Sequence, residues 1–114
     1  MKEIDFKTLN FTLLGKDSLF DGDLSLSGDV IIAGGFKGQL KIKDSGKLTI
    51  ERDSEVEGTI ECDDIEIFGN FSGTIQSSGT VSVRSSAKVS GRLKSNKLSI
   101  YPGAYLNIEG NTEE

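Results

Sequence analysis

Apolar and polar residues alternate along most of this chain, in short bursts interrupted by glycine. A period of two is the signature of strands, whose successive side chains point to opposite faces. Five bursts share the pattern apolar-x-Gly-x-apolar: Phe20 to Leu24, Phe36 to Leu40, Val56 to Ile60, Phe71 to Ile75 and Val89 to Leu93. Between them lies a second motif, apolar-x-apolar, at Val30/Ile32, Leu48/Ile50, Ile65/Ile67, Val81/Val83 and Leu98/Ile100. Gly22 and Gly91 stand 69 residues apart across four intervals, a mean period of about 17 that is too short for a helical repeat. Each repeat therefore holds two or three short strands whose named apolar residues share one face. Strands this short bury little as a hairpin meander. A chain coiled so that each strand stacks on its counterpart one winding away instead carries a single core along the whole axis. The pattern predicts an all-β, single-domain parallel β-helix of about six short windings.

Linker lengths support this register. From the second motif to the next repeat the chain crosses in three residues (Ala33-Gly34-Gly35, Phe68-Gly69-Asn70) or five (Glu51 to Glu55, Arg84 to Lys88, Tyr101 to Tyr105). The short linkers carry glycine or asparagine, which tolerate tight turns, and the long ones include Pro102, the only proline, which suits a corner and not a strand interior. The same spacing starts a partial winding near Phe11 and the last winding at Leu106 and Ile108. The chain thus divides into an N-terminal segment (1–14), a β-helix (15–110) and a polar tail (111–114). By parity the motif glycine faces inward, where it relieves crowding or marks a bend. Stacking also predicts outward columns, with Asp21, Lys37 and Glu57 in one and Ser25, Lys41 and Glu61 in another.

Composition narrows the chemistry. The chain has 114 residues and no histidine, which removes histidine-ligated zinc and every imidazole-based acyl transfer. Neither a phosphate-cradling glycine loop nor a dinucleotide fingerprint is present, so the expectation is no enzyme activity, no cofactor and no nucleotide. The lone Cys62 continues the inward alternation after Ile60 and reads as a buried small hydrophobe in a reducing cytoplasm. A net charge of -5 opposes non-specific binding of nucleic acid.

With Leu14-Gly15-Lys16 leading into Phe20-Asp21-Gly22-Asp23-Leu24, then Gly28-Asp29-Val30, Phe36-Lys37-Gly38, Ala87-Lys88-Val89-Ser90-Gly91 and Gly103-Ala104-Tyr105-Leu106, the repeat order resembles the bactofilin family over nearly the whole chain. That resemblance implies a right-handed coil that polymerises end to end, without nucleotide, into cytoskeletal filaments. It also implies a cytoplasmic location at the inner membrane face and a role as scaffold for cell-shape and envelope-synthesis machinery, with cell-wall-modifying proteins as partners. Many family members carry a phenylalanine in the last winding that supports the end contact; here Leu106 holds the matching position.

Physics supplies a reason for polymerisation, because an uncapped β-helix shows unpaired backbone groups and bare core at each end. The expected polymer interface is Leu106, Ile108 and Tyr105 at one end and Phe11, Leu13 and Leu14 at the other. Joining like ends makes two-fold contacts and a filament without polarity, the arrangement the resemblance favours. Met1, Lys2, Ile4 and Phe6 are the candidate membrane attachment by resemblance, while the apolar spacing near two equally suits a strand covering the first winding. Charge is uneven: Glu51 to Glu66 holds eight acids and one base, whereas Arg84, Lys88, Arg92, Lys94 and Lys97 meet no acid between Ile67 and Ile108. This basic belt is a candidate for lateral pairing between filaments or for an acidic partner or lipid. A second function class stays open: a non-polymerising β-helical module that recruits an envelope protein or carbohydrate.

Overall fold

A computed structural model describes residues 11–43 and 46–112. Two parallel six-stranded sheets run the length of the molecule. The first stacks the short strands β1 (Phe11–Leu14), β3 (Asp29–Ile32), β5 (Lys47–Ile50), β7 (Asp64–Ile67), β9 (Thr80–Val83) and β11 (Lys97–Ile100). The second stacks the long strands β2 (Leu19–Ser27), β4 (Gly35–Lys43), β6 (Glu55–Cys62), β8 (Asn70–Ser77), β10 (Lys88–Ser95) and β12 (Tyr105–Thr112). One long strand and the short strand after it form a winding, so the chain makes five windings between the partial turn of β1 and the half-turn of β12. The fold is the parallel β-helix that the alternation predicts.

Each winding holds two strands, but the long one is bent. Gly22, Gly38, Gly58, Gly73 and Gly91 lie in mid-strand at φ between 119 and 142°, a region that L side chains rarely enter. They also pair in one continuous column. A Cβ on Gly38, Gly58, Gly73 or Gly91 would run into the carbonyl oxygen of the glycine one winding earlier. Glycine is thus required twice over, by the bend and by the approach of backbone to backbone. The column ends at the sixth rung, where Ile108 pairs with Gly91 and lies outside the positive-φ region.

Inward residues of the short strands form uninterrupted apolar columns. Val30, Leu48, Ile65 and Val81 stack in one and Ile32, Ile50, Ile67 and Val83 in the next, all essentially without exposure. Phe20 and Phe36 stack face to face at 5.5 Å. Corners are shorter by one residue than the linkers suggest, because Gly35, Glu55, Asn70, Lys88 and Tyr105 already pair as strand residues. The two-residue corners nest in the four-residue ones below them: Gly35 N donates to Ser18 O (2.8 Å) and Asn70 N to Ser54 O (3.0 Å). Polar side chains bind the opposite corner. Asp29 accepts from Lys47 N at 3.0 Å and Asp64 from Thr80 N at 2.9 Å, each tying one winding to the next.

Candidate assembly interface

Among the described residues the stack of windings stops at two places, and both are apolar. At the C-terminal end β11 and β12 are the sheet edges, each paired on one side within the chain. The inward columns continue to this edge and lose their cover: Val83 is 0% exposed and Ile100, its partner one winding on, is 52% exposed. Leu98, Ala104, Leu106 and Ile108 pack against the core from below and remain half-buried. Leu106 stands over Val89, and Ile108 covers the end of the glycine column.

The N-terminal end repeats the situation on a smaller scale. Leu14, Phe20 and Leu24 are half-buried against the core, with β1 and β2 as edges. Leu13 pairs with Ile31 on the outer face of the short-strand sheet and is 55% exposed. The side chain of Phe11 lies outside the described residues, and so do Met1, Lys2, Ile4 and Phe6. Tyr105 points sideways, since it heads an outward column above Lys88 and Asn70.

The predicted columns form. Asp21 pairs with Lys37 and Lys37 with Glu57, the latter at 3.9 Å between charges, and Lys41 meets Glu61 at 3.7 Å. These pairs are more than half exposed, so they fix register more than they stabilise. The basic belt is not one patch. Arg84 sits at a corner, Lys88, Arg92 and Lys94 lie along both halves of β10, and Lys97 starts β11. Two of these bases also have acids from other windings: Arg84 reaches Glu66 at 3.3 Å, which also takes Lys47 at 3.1 Å, and Arg92 reaches Glu109 at 3.4 Å. The guanidinium of Arg84 further lies between Phe68 (5.3 Å) and Tyr101 (4.2 Å), so Tyr101 is braced at the rim of the C-terminal end.

Sequence reading missed Ile100, Tyr101, Phe20 and Leu24 as end residues. Ile100 and Phe20 were signalled by being the last and first members of their motifs; the Tyr101 contact depends on corner geometry and leaves no motif. Cys62 is buried, and burial, followed by the charges of Asp63, Asp64 and Glu61, pushes its thiol up to about 12. It is therefore protonated and unreactive at neutral pH. No helix among the described residues is long and apolar enough to cross a membrane.

Comparison with known proteins gives three matches. A family model described as "Bactofilin: Polymer-forming cytoskeletal" matches residues 12–112. The protein Bactofilin BacO of Myxococcus xanthus (strain DK1622) is 32% identical over 102 residues, covering 90% of this chain and 78% of that one. The atomic structure of the cytoskeletal bactofilin BacA, determined by solid-state NMR, superposes with a TM-score of 0.78 at 25% identity, covering 92% of this chain and 98% of the other.

Proposed function

This chain belongs to the bactofilin family of polymer-forming cytoskeletal proteins, and we propose that it assembles end to end, without nucleotide, into filaments that scaffold cell-shape or envelope-synthesis machinery and that it is not an enzyme. The observation that carries the reading is the loss of cover within one apolar column, from Val83 at 0% to Ile100 at 52% exposure, on a strand edge that nothing caps among the described residues. A second subunit stacked there would make on the order of ten backbone hydrogen bonds at about 0.5–1.5 kcal/mol net each, against association costs of about 4–15 kcal/mol. Burial of Leu98, Ile100, Leu106 and Ile108 adds to the favourable side.

The C-terminal end suits a two-fold joint with its own copy. A head-to-tail joint would set the bent strand β2, with Gly22, on a rung where Ile108 has replaced the bend. Like-to-like joints at both ends give a filament without polarity. Attachment of the filament to the inner membrane face through Met1, Lys2, Ile4 and Phe6 rests on family likeness.

Sedimentation without nucleotide tests the reading, with negative-stain microscopy of the pellet. The chain pellets as filaments, whereas Leu106→Arg leaves a small species with unchanged far-ultraviolet dichroism, because a charge then faces bare core. A wild-type chain that stays small would sink the filament and favour a monomeric binding module; Leu106→Arg filaments like those of the parent would move the joint elsewhere.

A further inference from the structure

We propose that this chain also pairs side by side with a second, antiparallel copy of itself, through the half of the long-strand sheet that precedes the glycine bends. The inference rests on the filament reading above, because one such contact is small.

Topology turns the uneven charge of the sequence into rings around the rod. The third winding with its corner (51–67) holds eight acids and one base; the fourth (68–83) holds no charged residue; the fifth (84–100) holds five bases and no acid. The acidic and basic rings therefore lie about 10 Å apart along the axis, on either side of an uncharged one. Two parallel rods in register would set like charge on like. Two antiparallel rods centred on the fourth winding set the acidic ring of each against the basic ring of the other, twice, around one two-fold axis. The charge pattern is complementary to itself in that arrangement.

One face also has the matching shape. Leu19, Gly35, Glu55, Asn70, Lys88 and Tyr105 form a single outward column, one residue per winding. They line a groove of ≈ 490 Å³ along the rod. A two-fold axis lying between the facing rods and perpendicular to them reverses the column and keeps it opposite itself. Asn70 then meets Asn70 on the axis, and Glu55 meets Lys88 of the second copy on either side. One step further out Tyr105, 60% exposed, faces Gly35, the one position of the column without a side chain. The ring packs on Leu19, which is 75% exposed and whose side chain lies over Gly35. Charge complementarity and this apolar contact of Tyr105 with Leu19 select the same register.

The column spans five rungs, about 24 Å by about 10 Å, which is roughly a third of the 800 Å² per partner of a stable interface. A single contact is weak, so pairing becomes firm only when filaments repeat it many times. A filament without polarity presents subunits in both directions, so an antiparallel neighbour is always available.

The test uses the full chain at about 50 and about 500 mM salt, since screening weakens exposed charge pairs. High-speed pelleting reads filaments and low-speed pelleting reads their bundles. The expected result is a low-speed pellet at low salt that disperses at high salt, with the high-speed pellet unchanged. Glu55→Lys or Lys88→Glu alone sets like charges opposite and cuts the low-speed pellet by about tenfold, while the double variant carrying both restores it. Asn70→Cys forms a disulfide-linked dimer on oxidation, and Gln76→Cys, on the far side of the bend, does not. Filaments that never bundle and give no Asn70→Cys dimer, or bundles indifferent to both charge changes, overturn lateral pairing and leave the end-to-end reading standing. Absence of a high-speed pellet overturns that reading, and this one with it.

Discussion

The middle of the rod and its C-terminal end are built from the same columns in the same register, yet they behave as interior and as surface. Ile67 and Val83 are sealed at 0% exposure, while Ile100, one rung on, is half open. Gly58 and Gly73 hold φ at 132 and 137°, while Ile108, in the same column, lies outside the positive-φ region. The difference is that no winding follows among the described residues, since apolar character continues to the edge. In a repeat structure, exposure at the end is an interior waiting for its neighbour, and this separates residues that hold the chain together from residues that hold chains to one another.

Four substitutions would break or sharpen that distinction. The largest effect is expected from Gly58→Ala, because the new Cβ meets the Gly38 carbonyl and the residue is held at φ +132°. Neither contact is with a movable side chain, so the cost is about 3–5 kcal/mol and urea unfolding of dilute protein would show the midpoint collapse. A Gly58→Ala midpoint within error of the parent would mean that the bend is not rigid. The next is a pair. Ile67→Ala opens a cavity in the sealed column and costs about 2–5 kcal/mol, whereas Ile100→Ala costs the isolated chain less than about 1.5 kcal/mol and lowers the sedimentable fraction instead. Equal unfolding costs for the two would erase the contrast between middle and end. The smallest effect belongs to the inward column at the second corner. There Leu26 and Ile42 give way to Cys62, Ser77 and Ser95, all buried. Ser77 donates to the Asp63 carbonyl, but the Ser95 hydroxyl is buried without a partner among the described residues. Ser95→Ala should therefore raise stability by about 1 kcal/mol in the same urea measurement, and a loss of that size would show that the hydroxyl is satisfied after all.

Much of this was legible in the sequence because the fold is local in one sense: every winding repeats one rule. The apolar-x-Gly-x-apolar motif fixed the stacking of Gly22 through Gly91, and from it the columns that join Lys37 to Glu57 and Lys41 to Glu61 follow by counting. What the repeat rule does not contain is the departure from it. Arg84 reads as unopposed along the chain because Glu66 is 18 residues away, and only winding brings them to 3.3 Å. Tyr101 and Phe68 flank the same guanidinium through corners of unequal length, which periodicity cannot position. Tyr105 reads as an end residue from its neighbours Ala104 and Leu106, but strand parity turns it sideways. The motif that marks Ile100 as inward was equally plain; that its cover is missing follows only from where the stack stops.

The unequal corners carry a practical consequence. Two-residue and four-residue turns share one edge of the rod, and at the outer tip of a four-residue turn Arg52 and Asp53 are exposed while Ser54 behind them is fully buried, its hydroxyl donating to the Glu51 carbonyl at 2.5 Å. Extra chain spliced between Arg52 and Asp53 would leave that inner anchor in place and keep every ladder in step. It is the spot at which to graft a fluorescent tag or affinity epitope for watching the protein in a living cell.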